Sequence, residues 1–178
     1  MSRREDTRRL ALCGVFCALS CGLVYLSGVS EIASLSVLAV AGLITAAAVV
    51  ECGLGYAALS VAAAGILGLL IAPDKVNVGF YLLMFGTYPL CKSLTERMRS
   101  RPAEWVLKFL FCNLSFAAML AGAALLTLDL GVLASMPRWV WPLVWLAGNG
   151  VFLLYDVALS RMIGFYLVRV RPKLGRGR

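Results

Sequence analysis

The chain contains no histidine. That removes the side chain most often used as a metal ligand and as a proton carrier near neutral pH, so relays of the Ser-His or Cys-His kind are excluded. Charge is also scarce. Only 15% of residues are Asp, Glu, Lys or Arg, against about 25% in an ordinary soluble domain. From Ile32 to Ala72 the only charged residue is Glu51. The six cysteines, Cys13, Cys17, Cys21, Cys52, Cys91 and Cys112, form no C-x-x-C pair and lie within or at the ends of apolar segments. A disulfide framework or zinc site is therefore not expected. There is no glycine-rich phosphate loop, no G-x-G-x-x-G, no H-E-x-x-H and no DG-x2-AR carboxylate cluster. These absences lead to the expectation of a protein that is not an enzyme, holds no metal and needs no cofactor.

What the chain has is long apolar runs. It is 61% hydrophobic with a mean hydropathy of +0.88. An outer-membrane barrel would alternate apolar and polar residues over short segments, and that pattern is missing. The expectation is an all-α integral membrane protein, a single domain over 1–178. A helix needs about 20 residues to cross the hydrocarbon layer, so the block from Ile32 to Ala72 must fold back on itself. Glu51, Gly53 and Gly55 mark the turn, and Ala72-Pro73-Asp74-Lys75 closes its far end. Counting outward predicts a bundle of six transmembrane helices near 10–27, 32–50, 52–72, 77–91, 105–128 and 139–160, with a basic start over 1–9 and a basic tail over 161–178. The fourth span is short and carries Gly79, Gly86 and Pro89, so it is expected to be tilted, kinked or partly unwound. Pro102 and Glu104 suit the first turn of the fifth helix.

The net charge of +8 does not indicate nucleic acid, because the basic residues follow membrane topology. With both termini cytoplasmic, all but Lys75 and Arg138 of the seventeen Lys and Arg residues fall on the inner side. The chain is thus expected in the plasma membrane as a multi-pass protein with its N and C termini inside. Trp105 at the inner start of the fifth span, and Trp139, Trp141 and Trp145 at the outer start of the sixth, suit interfacial anchoring.

Candidate functional residues fall into three groups. On the first helix Gly14, Ala18 and Gly22 recur at spacing four, beside a stripe of Cys13, Cys17 and Cys21 at the same spacing. Small residues so placed let a neighbouring backbone approach, either another subunit or another helix of the same bundle. Toward the inner side, Glu51, Asn113, Asp156 and Arg161 form an expected polar clamp, with Lys92 and Lys108 also in reach of the carboxylates. The alternative for Glu51 and Asp156 is a proton or ion relay, since an ionisable residue inside a membrane costs on the order of 3 kcal/mol. Toward the outer side, Glu31, Asn77, Tyr81, Trp145 and Asn149 could orient a ligand in an outward pocket, near the turn charges Asp74 and Lys75.

The arginine-rich opening RRLAL, a first helix with small residues every fourth position, and six short spans within 178 residues resemble the substrate-binding (S) components of energy-coupling factor vitamin transporters. The stretches ECGLG, LLIAPDK, GTYPLCKSLTER and LYDVALSRMIGFYLVRVRPKL are similar to small uncharacterised integral membrane proteins of Firmicutes with the same layout. The resemblance implies that Gly14, Ala18 and Gly22 dock on a transmembrane coupling subunit served by separate ATPases. It also implies that a small organic solute binds in the outer half. Glycines stand where that family usually has alanine, and the missing histidine departs from its cobalt and nickel type. The expected function is a membrane-embedded substrate-capture subunit of a small-solute uptake transporter. The alternative is a non-transporting scaffold of the rod-shape, cell-wall type.

Overall fold

A computed structural model describes residues 3–30, 33–97, 100–127 and 137–170. Glu31 and the tail from 171 onward lie outside the described residues. Among those described there are helices and no strand. We number them α1 (Arg3–Val29), α2 (Ser34–Cys52), α3 (Leu54–Ile71), α4 (Lys75–Phe80), α5 (Tyr88–Thr95), α6 (Arg101–Thr127) and α7 (Val140–Phe165). A π-helical turn, Tyr81–Phe85, joins α4 toward α5, and a second, Tyr166–Val170, extends α7. Five of the described helices, α1, α2, α3, α6 and α7, are long and apolar enough to cross a membrane. This architecture is compatible with a multi-pass membrane protein.

The α2–α3 turn falls within the stretch marked by Glu51, Gly53 and Gly55, although Glu51 and Cys52 still belong to α2. Cys52 ends α2, Leu54 starts α3, and Gly53 alone makes the joint, with φ of 90°. A side chain there would meet the steric cost of the left-handed region. At the opposite end Asp74 caps α4, its Oδ1 accepting from the Val76 amide at 2.8 Å, while Lys75 Nζ donates to the Ala72 carbonyl at 2.8 Å. The basic start is helical too. α1 begins at Arg3 and runs without a break into the apolar segment.

The segment Lys75–Thr95 is the centre of the molecule and is packed by α1, α2, α3 and α6. Its side chains Val78, Tyr81, Met84, Phe85 and Tyr88 belong to the buried core with Val24, Leu38, Val61, Phe152 and Leu159. The expected irregularity of this segment takes the form of the π turn. In an apolar surrounding, carbonyls released by such a turn need new donors. Ser115 Oγ on α6 donates to the Leu83 carbonyl at 2.9 Å, the Gly86 amide donates to the Tyr81 carbonyl at 2.7 Å, and Thr87 Oγ1 donates to the Leu82 carbonyl. The break is thus closed by one backbone bond of the π turn itself and by two hydroxyls, one of them from α6.

α2 also approaches the π turn closely. At Gly42 a Cβ would collide with the Tyr155 hydroxyl and the Phe85 carbonyl. Absence of a side chain at this position lets α7 and the π turn meet α2 without a gap.

Candidate functional site

Three helices each carry a polar pair at spacing four: Tyr88 and Lys92 on α5, Glu104 and Lys108 on α6, Asp156 and Ser160 on α7. Residues four apart share a helix face, and the three faces converge. Asp156, 4% exposed, is the hub. Its Oδ1 accepts from the Tyr88 hydroxyl at 2.5 Å and pairs with Lys92 Nζ. Its Oδ2 lies 3.4 Å from Lys108 Nζ. Lys92 also donates to Ser160 Oγ at 2.7 Å, and Ser160 Oγ donates to the Asp156 carbonyl at 2.9 Å. On the side away from Asp156 the two lysines meet carboxylates nearer the surface. Lys92 pairs with Glu96 at 3.3 Å, and Lys108 pairs with Glu104 at 2.7 Å and with Glu96 at 4.0 Å.

Both lysines are almost fully buried, at 2% and 4%. A charge taken out of water is tolerable only when it is paired and its remaining donors are used. The cluster meets that condition with one deep carboxylate shared by two ammonium groups. Aromatic rings complete the wall. Tyr88 packs edge-on against Phe152 at a centroid distance of 4.8 Å, and Lys108 Nζ sits 5.4 Å from the centre of the Trp105 ring.

Of the expected inner clamp, only Asp156 occupies this cluster. Asn113 instead bridges to α7, where Asn149 Nδ2 donates to its Oδ1 at 3.4 Å. Glu51 accepts from the Tyr166 hydroxyl at 3.3 Å. Arg161 is exposed on α7 and is not among the described partners of Asp156. Tyr88, Ser160, Glu96 and Glu104 were missed by sequence reasoning. The detectable signal was the spacing of four within each helix; what the sequence did not show was which helices are neighbours.

The expected outer group is divided. Tyr81 is wholly buried between α1 and α2, its hydroxyl 3.5 Å from Thr45 Oγ1 and beside Ser20. Asn77 is buried and donates to the Ser27 carbonyl of α1 at 3.0 Å. Asn149 and Trp145 face α6 instead: Asn149 Nδ2 also donates to the Trp145 carbonyl at 2.9 Å, and the Trp145 ring meets Phe116 edge-on at 5.5 Å.

Among the grooves that open on the described surface are three that Asn77, Tyr81, Trp145 and Asn149 do not line. The first, of about 220 Å³, lies among α1, α2 and the end of α7 and is almost wholly apolar. The second, of about 50 Å³, lies between α4 and α6. The third, of about 270 Å³, lies between α5 and α6 and has Lys92 and Lys108 in its wall.

The two stripes of α1 separate cleanly. Cys13 is buried, with its thiol donating to the Tyr56 carbonyl of α3 at 2.8 Å, and Cys17 and Cys21 pack against the core. Gly14, Ala18 and Gly22 are exposed, and a Cβ added at either glycine would meet open space.

Scans of protein-family models, curated proteins and solved structures found no match to the chain.

Proposed function

We propose that this protein is a membrane-embedded subunit that works by docking on another integral membrane protein through α1, and that it serves as the substrate-capture component of a small-solute uptake system. The observation that carries this reading is the exposure of Gly14, Ala18 and Gly22 along one face, with no atom of another described helix within 4 Å of a Cβ added at either glycine. In lipid, small residues give a helix its close approach to a partner. The cysteine stripe already supplies the inward face of α1, so the glycine stripe is not needed for internal packing. The proposed partner is a transmembrane coupling subunit, itself served by ATPases, since the chain carries no nucleotide-binding loop.

The topology proposed with it is six crossings with both termini cytoplasmic. Lys75–Thr95 supplies the sixth crossing, because at 1.5 Å per residue it rises roughly 30 Å despite its π turn. The side is supported by the basic residues, which concentrate at the start, in the 92–104 segment and at the end of the chain.

A scaffold role is the second reading. It is favoured by the use of Tyr81 and Asn77 in internal contacts, which leaves them no free face for a solute. Thermal unfolding of the purified chain against a panel of water-soluble vitamins separates the two. A rise in Tm with one solute supports capture. No rise with any solute, together with a stable complex with cell-wall synthesis proteins, establishes the scaffold.

A further inference from the structure

The groove between α5 and α6 is apolar along most of its length, with two nearly buried, ion-paired lysines at its back. Leu94 and Leu107 are exposed at its edges, Tyr88 and Phe111 form its floor, and Lys92 and Lys108 stand in its wall. The two ammonium groups share a single deep carboxylate, Asp156. Their other ion-pair partners are Glu96, which is 48% exposed, and Glu104. Side chains on a helix lean toward its N-terminus. On α6 that direction carries the Lys108 amine toward Glu104 and the Trp105 ring, the level at which a tryptophan meets the membrane interface. Arg97 and Arg101 are exposed at the same end of the two helices.

From this we infer that the α5–α6 groove binds an anionic phospholipid of the surrounding bilayer. One acyl chain lies along Leu94, Leu107 and Phe111. The phosphate is held at the Lys92 and Lys108 end, where it takes over the ion pairs now made by the surface carboxylates Glu96 and Glu104. A zwitterionic lipid fits the apolar part equally well but has no net charge to exchange for those carboxylates. A basic pocket between two transmembrane helices is the setting in which anionic headgroups are recognised. The site is independent of the α1 docking face and lies on other helices.

The test uses the full chain, purified in detergent and stripped of lipid, with Tm as the readout. Dioleoyl-phosphatidylglycerol is expected to raise Tm by about 3 °C or more over an equal amount of dioleoyl-phosphatidylcholine. Leu107→Trp fills the groove from an exposed edge and is expected to remove that difference; Leu94→Trp, on the facing edge, repeats the test if Leu107→Trp does not fold. Glu96→Gln frees the lysines from one competing carboxylate and is expected to enlarge the difference. Equal shifts with the two phospholipids overturn the inference. So does a full phosphatidylglycerol response in a groove-filling variant that folds, no gain in Glu96→Gln, or an equal response to oleate, which would make the occupant a free fatty acid.

Discussion

The Tyr88 hydroxyl stands 2.5 Å from Asp156 Oδ1, although the two residues are 68 positions apart. The distance is that of an O–H donor to an ionised carboxylate. Lys92, one turn beyond Tyr88 on the same face of α5, pairs with the same oxygen. A single helix face thus brings both a neutral and a charged donor to one buried acceptor, and α5 and α7 are joined by buried side chains.

Removing the hydroxyl leaves Asp156 with its lysines but short of one charged hydrogen bond. Tyr88→Phe is expected to cost about 2 kcal/mol, read as a loss of Tm in detergent with helix content unchanged.

Neutralising the hub is a larger change, because two buried ammonium groups then share no deep carboxylate. Asp156→Asn and Lys92→Met are each expected to cost about 3 kcal/mol, while the double variant costs clearly less than their sum, since both changes remove the same Lys92–Asp156 pair. If Asp156 were instead a proton relay, Asp156→Asn would leave Tm unchanged and abolish solute flux. A thermal melt of the four proteins with a flux assay on the single variant distinguishes the two.

Tyr155 presents the opposite case. Its hydroxyl is buried and finds no hydrogen-bond partner among the described residues, while its ring packs edge-on against Phe85 at 5.3 Å. Tyr155→Phe keeps the ring and removes an unsatisfied group, so it is expected to be neutral or stabilising by about 1 kcal/mol. Gly42→Ala pushes a methyl group into the same place, against that hydroxyl and the Phe85 backbone carbonyl, and is expected to cost about 2 kcal/mol. Gly42→Ala in the Tyr155→Phe background should recover only part of this, because the carbonyl cannot withdraw.

At the α2–α3 joint the constraint is backbone conformation and not space. A Cβ at Gly53 meets no atom within 4 Å, yet φ is 90°. Gly53→Ala is therefore expected to destabilise by about 1 kcal/mol through strain alone. Gly55→Ala, in the first turn of α3 with equally open space, should be neutral or stabilising. Chemical denaturation of the pair checks the contrast.

For α1, Gly14→Leu combined with Gly22→Leu is expected to leave the Tm of the isolated chain unchanged, since both sites face open space. The same pair should abolish a detergent-stable complex with the proposed coupling subunit. A drop in the isolated chain's Tm would assign the stripe to internal packing.

The apolar runs by themselves determined long apolar helices of membrane-spanning length, because continuous runs without period-two alternation suit helices and not the strands of a barrel. The α2–α3 turn was equally legible: Glu51 is the only charge in a block too long for one crossing, and Gly53 follows it. The break in the segment after Lys75 was readable from Gly79, Gly86 and Pro89, although the donors that close it, Ser115 among them, were not. The acidic residue of the buried cluster was visible as an ionisable group within an apolar run, and its lysines as cations at comparable depth. Only the tertiary structure decided the pairings: Asp156 with Tyr88, Lys92 and Lys108, Asn113 with Asn149, and Glu51 with Tyr166. It also decided which of the two stripes on α1 turns inward. Periodicity fixes which residues share a face of one helix, but which face meets which neighbour depends on how long-range packing rotates each helix about its own axis.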